Sequence, residues 1–186
     1  MTPIIKKIVL MGSFIGLGVS LGYLLQPIPN VEMVTATTFI GGYLLGIRQG
    51  LLIGITTELI FSTLNPLGSA SPPLIAAMAI SMGISGAWGG ILGMKSNHNG
   101  RGFRIKLAFA ASVCTIIFYV FTTVSFAILL SLSFEQLINS FAAGTIFLII
   151  HITSNIFIFT IIVPVIIKRL EKTGLFSSTS IGINSL

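Results

Sequence analysis

The sequence predicts an all-α membrane protein of six transmembrane helices, with the N and C termini both in the cytoplasm. Hydrophobic residues make up 54% of the 186 and charged residues 8%, and mean hydropathy is +1.04. A soluble core has no use for that much apolar sequence, so lipid must solvate the chain. Six apolar stretches can be drawn, at residues 4–25, 31–46, 51–64, 73–94, 105–132 and 137–167. When the gaps are assigned to alternate sides, every lysine and arginine falls on one side: Lys6, Lys7, Arg48, Lys95, Arg101, Arg104, Lys106, Lys168, Arg169 and Lys172. The other side receives only Glu32 and Glu135. Basic loops stay in the cytoplasm. A wrong helix count would scatter these charges, so the clean division also supports the number six.

The first stretch follows Lys6 and Lys7 and is too long for a signal-peptide core, with no small-residue cleavage site behind it. It carries Gly12, Gly16, Gly18 and Gly22. Such small-xxx-small pairs allow close helix approach, either inside the chain or against a membrane partner. The second and third stretches are short. The third is about 21 Å long at helical rise, which predicts burial among neighbours or ends at a thinned surface. The connections 26–30 and 65–72, with the next helix start, hold Pro27, Pro29, Pro66, Pro72 and Pro73. These are rigid enough for a binding rim, or simply end helices. Cys114, in the fifth stretch, is the one cysteine, so no internal disulfide forms. Residues 1–172 read as one six-helix domain, and the Ser-rich 173–186 as a disordered tail.

Glu58 is the one acidic residue deep in an apolar stretch. A carboxylate there costs at least a few kcal/mol unless it is paired or faces a wet cavity. His151 and Asn155 lie four residues apart and share a face of the last helix. They serve either as an interhelical clamp or as ligand contacts. The formal charge of +6 is explained by topology and anionic lipid, not by nucleic acid. No phosphate-binding glycine loop with lysine, no His-Glu-x-x-His and no cysteine pair occurs, so the chain has no ATPase of its own. The sequence therefore assigns no catalytic residue, no cofactor and no metal.

Two resemblances bear on function. Gly83-Ile84-Ser85-Gly86 with His151 resembles the Ser–His dyad of rhomboid intramembrane proteases. Ser85, however, lies about 18 Å down its helix, on the cytoplasmic half, whereas rhomboids hold the serine near the outer mouth. The wider resemblance runs through Pro29-Asn30-Val31-Glu32-Met33-Val34-Thr35, Gly41-Gly42-x-Leu-Leu-Gly46, Leu51-Leu52-Ile53-Gly54, the proline-rich loop, and His151-x-x-x-Asn155 before Pro164 and Lys168-Arg169. This order resembles the substrate-binding (S) components of energy-coupling factor transporters. The resemblance implies a subunit that captures a vitamin-like micronutrient outside a prokaryotic plasma membrane. It then docks to a transmembrane coupling protein and two cytoplasmic ATPases. Gly12-x-x-x-Gly16 stands where that family has its Ala-x-x-x-Ala partner contact. The expected pocket is roofed by residues 26–32 and 65–71, with Glu58, His151 and Asn155 at its floor. Asn30, Glu32, Thr35, Glu58, Asn65, His151 and Asn155 are the candidate substrate contacts. Few charges line it and those are acidic, so a neutral or cationic ligand is expected. The alternative is a membrane scaffold in which the same polar groups form a closed network.

Overall fold

The computed structural model describes residues 2–95 and 100–176. Among these the regular structure is all helical: α1 (Pro3–Leu25), α2 (Val34–Leu45), α3 (Ile47–Thr63), α4 (Pro72–Lys95), α5 (Arg101–Leu129) and α6 (Phe134–Phe157). A π-helical turn, Ile158–Ile162, carries α6 without a break into α7 (Val163–Glu171). Pro164 explains the turn: it lacks an N–H and its ring crowds the carbonyl four residues back, so the ladder widens locally. The helices among the described residues thus form six rods. Most of the tail read as disordered, residues 177–186, lies outside the described residues.

Four rods are long and apolar enough to cross a membrane, namely Pro3–Leu25, Pro72–Met94, Arg101–Leu129 and Phe134–Glu171. Their outer faces carry exposed Ile8, Leu17, Ile80, Phe109 and Ile149, an apolar surface of the kind that suits lipid. The two short rods behave differently from each other. Helix α3 begins at Ile47, takes Arg48 into its first turn, and leaves Leu51, Leu52 and Leu59 exposed. The enclosed helix is α2 instead, buried at every residue from Val34 to Leu45. Its neighbours surround it: α1, α3 and α4 by direct packing, α5 through Tyr43 against Phe103, and the π turn through Phe39 against Phe159.

Glycine is what lets α2, α3 and α4 close on one another. A Cβ on Gly42 would strike the Gly86 carbonyl, one on Gly50 the same carbonyl, and one on Gly54 the Met82 carbonyl. Gly89, Gly90 and Gly93 likewise lie against the backbones of Phe39, Ile47 and Tyr43. Of the paired glycines near the ends of α2 and α4, Gly42, Gly89 and Gly90 lie in this seam, and Gly41 packs against Ile53 and Phe14. Gly46 joins α2 to α3 with φ 103°, a conformation that only glycine adopts at low cost. These registers run α2 parallel to α4 and antiparallel to α3. They gather the described lysines and arginines at one end of the bundle and the candidate site residues toward the other.

Candidate functional site

At the end away from the basic residues, the last turns of α1, the 26–33 loop and helices α3 to α6 enclose a cavity of about 210 Å³. Asn30, Glu32, Glu58 and His151 line it, together with Gly22, Gln26, Phe61, Met78, Met82 and Phe118. Four of the seven candidate contacts thus meet in one place, although Glu32 and His151 are more than a hundred positions apart in sequence.

Glu32 is fixed from two sides. One carboxylate oxygen accepts the Thr35 N–H at 2.9 Å, an anion set at the start of α2 where helix N–H groups are unpaired. The other lies 3.5 Å from His151 Nε2, at ion-pair distance, and neither of those two atoms has a hydrogen-bond partner. Burial pushes the Glu32 carboxyl up, but His151 and the Thr35 N–H outweigh it and hold the carboxyl below its ordinary value. The His151 ring meets Phe118 edge-on at 6.1 Å, and one turn on, Ser154 Oγ donates to the Asn30 carbonyl at 2.7 Å. Asn30 itself has φ 58°, a left-handed conformation that asparagine tolerates. Two polar contacts therefore latch α6 to the loop over the cavity.

Glu58 is 1% exposed and accepts the Ser62 hydroxyl at 2.6 Å. Ser62, one turn along α3, also lies 3.9 Å from Met78 Sδ. Glu58 does not pair with His151, which faces Glu32 on the loop instead.

The remaining candidates are placed elsewhere. Asn155 is fully buried, and its amide donates to Thr115 Oγ1 on α5 at 2.9 Å. It does not line the cavity. The pairing of His151 with Asn155 on one helix face holds, but both face α5, and the lower one packs as an interhelical clamp. Thr35 positions Glu32 through its N–H and puts its hydroxyl 3.7 Å from Met82 Sδ. Asn65 joins the two proline-bearing loops: its side-chain oxygen accepts from Gln26 Nε2 and from the Leu67 N–H, each at 2.9 Å. It supports the roof from outside the lining. Gly12 and Gly16 sit on the open face of α1, where an added Cβ would meet nothing within 4 Å, whereas Gly18 and Gly22 face inward. Ser85 donates to the Ser81 carbonyl at 3.0 Å, and the His151 nitrogen faces Glu32, so the two do not form a dyad.

The sequence reading missed Phe61, Met78, Met82 and Phe118, the cavity's apolar wall. No local signal marks them, since Met and Phe are common on any lipid-solvated helix. Gly22 had a signal, its spacing from Gly18, but it serves to admit Phe61 and Val34 beside α1. Beside the cavity and sharing Val31 with it, an apolar groove of about 740 Å³ runs between the loop and α6, past Met33, Ile149, Phe157 and Ile162. Among the described residues no group of three or more His, Cys, Asp or Glu could hold a metal ion. The arrangement is suited to holding a small molecule by carboxylates at one part of its surface and by apolar groups elsewhere. No protein family, no curated protein and no solved structure matches the chain.

Proposed function

We propose that this chain is the substrate-capture subunit of an ATP-driven importer for a vitamin-like micronutrient in a prokaryotic plasma membrane. In this reading all six rods cross or enter the bilayer, and both termini are cytoplasmic. The cavity opens to the outside, and the chain docks through α1 to a transmembrane coupling protein and two ATPases. The observation that carries the reading is the cavity itself. Glu32, Glu58 and His151 meet in it, in an otherwise apolar rod bundle, at the end opposite all described basic residues. Ionisable groups retained at such depth favour a ligand pathway over packing. The free face of α1 at Gly12 and Gly16 leaves room for a partner helix. A scaffold would need the same polar groups to satisfy one another, whereas Glu32 and His151 face each other at 3.5 Å without a hydrogen bond.

Native mass spectrometry of the purified protein tests capture: a retained small molecule is expected, lost on Glu58→Gln. Cysteine labelling tests topology. Cys114 is buried, Ser69 is exposed in the 65–71 loop, and Gly102 is exposed at the start of α5. Ser69→Cys should react with an impermeant maleimide in intact cells, and Gly102→Cys only after permeabilisation. The reverse pattern would invert the protein and place the cavity on the cytoplasmic side.

A further inference from the structure

We infer that the cavity takes a small organic monocation, with an ammonium or amidinium group set against Glu58 and an apolar, one-ring body held by Phe61, Phe118, Met78 and Met82. The inference rests on the capture reading and specifies its ligand. Two carboxylates line one cavity, and they are not equivalent. Glu32 already has the His151 imidazole at 3.5 Å and accepts a backbone N–H at 2.9 Å. Glu58 has the neutral Ser62 hydroxyl at 2.6 Å. No lysine or arginine lines the cavity, and the described ones sit at the other end of the bundle. A desolvated carboxyl group with one hydroxyl donor offers an uncompensated site for a positive charge where water is scarce. A ligand cation supplies the missing charge, and an anion would add to the repulsion.

The rest of the wall defines the body that carries the cation. Aromatic faces attract cations, and thioethers adapt to irregular shapes. Phe61 and Phe118 belong to α3 and α5, and Met78 and Met82 to successive turns of α4, so the four approach from three helices. At about 210 Å³ the cavity is smaller than the roughly 300–1,000 Å³ of sites for drug-sized molecules. One ring fits it, and a nucleotide does not.

Three nearly isosteric probes separate charge from shape: benzamidinium, benzamide and benzoate, titrated into the detergent-purified full chain with thermal melting and calorimetric readouts. Benzamidinium should bind and raise the melting temperature, with benzamide weaker and benzoate weakest. Glu58→Gln should weaken benzamidinium by about tenfold to a hundredfold, the range for a charged hydrogen bond, while Glu135→Gln, at the exposed start of α6, should leave it unchanged. Benzamide or benzoate binding as tightly as benzamidinium would overturn the inference, as would wild-type affinity in Glu58→Gln or no benzamidinium binding. If Glu58→Gln does not fold, the three probes on the wild type decide alone. A neutral or anionic molecule retained by the wild type in native mass spectrometry overturns the charge assignment and leaves capture standing. No retained molecule together with no bound probe overturns both.

Discussion

Helices α2, α3 and α4 meet at backbone distance, whereas α6 meets the rest of the molecule through side chains. On the first side, Gly42, Gly50, Gly54 and Gly86 bring backbone against backbone, so the contact there does not depend on side-chain rotamers. On the second, α6 is joined to α5 by Asn155 with Thr115, His151 with Phe118, and Tyr119 Oη donating to the Phe141 carbonyl at 2.7 Å. It reaches the loop through Ser154 and His151. The cavity lies between these two kinds of wall. The first wall is backbone against backbone, while the second is held to the loop by two side-chain contacts.

The contrast breaks most severely at the seam. Gly42→Ala should cost about 3 kcal/mol or more, because the new methyl meets a carbonyl that cannot turn aside. A lost monodisperse peak in size-exclusion chromatography would register it. Gly144→Ala, on α6, meets only the movable ring end of Tyr119 and should remain within about 1 kcal/mol of wild type, since alanine also favours the helix. Equal tolerance at both sites would remove the distinction between the walls.

Within the polar wall, cavity residues and clamp residues should separate. Glu58→Gln should weaken ligand binding by about 1–3 kcal/mol with little change in melting temperature. Asn155→Ala should do the opposite, lowering stability by about 1 kcal/mol, typical of an interhelical hydrogen bond in lipid, at unchanged affinity. Calorimetry and melting of the two variants settle the order. Reduced affinity in Asn155→Ala would return that residue to the site.

The latch has a predicted pH dependence. Because the folded state holds the Glu32 carboxyl below its ordinary value, the stability it contributes is fully present above the unfolded carboxylate range, near about 4.3. It is lost as pH falls through the lower, folded value. Melting temperature should therefore drop on acidification below that range in the wild type, and drop less in Glu32→Gln. An identical acid limb in both proteins would show that His151 and Thr35 do not stabilise the carboxylate.

The smallest effect on the isolated chain is expected at Gly12 and Gly16. Leucine at either position meets open space and should change stability by less than about 0.5 kcal/mol. If α1 docks a coupling protein, co-purification of that complex should fall sharply in both variants. Undiminished complex yield would place the docking face elsewhere.

Much of this architecture is legible in the sequence because lipid imposes simple constraints. Apolar length predicts the long rods, and four of them match stretches drawn from hydropathy to within a few residues at most of their ends. Short elements are harder. The start of α3 is displaced because Arg48 breaks an apolar run without breaking a helix, charge being compatible with helical backbone at a membrane surface. The polar candidates were visible for the same energetic reason: Glu58, His151 and Asn155 are conspicuous in apolar surroundings. Their roles were not visible. Asn155 clamps and His151 pairs with Glu32, and that choice depends on a loop whose path is set by Asn30 at φ 58° and by its bond to Ser154.

What the sequence determined by itself is therefore the apolar length of the long helices, the end that carries basic charge, and which side chains stand out as polar. These follow from free energies of transfer, which are properties of each residue alone. Which helix is enclosed, which glycines form the seam, which carboxylate already has a partner, and which Met and Phe side chains shape the cavity were decided by tertiary structure. They depend on contacts between residues distant in sequence, and no residue's own chemistry encodes the neighbour it will meet.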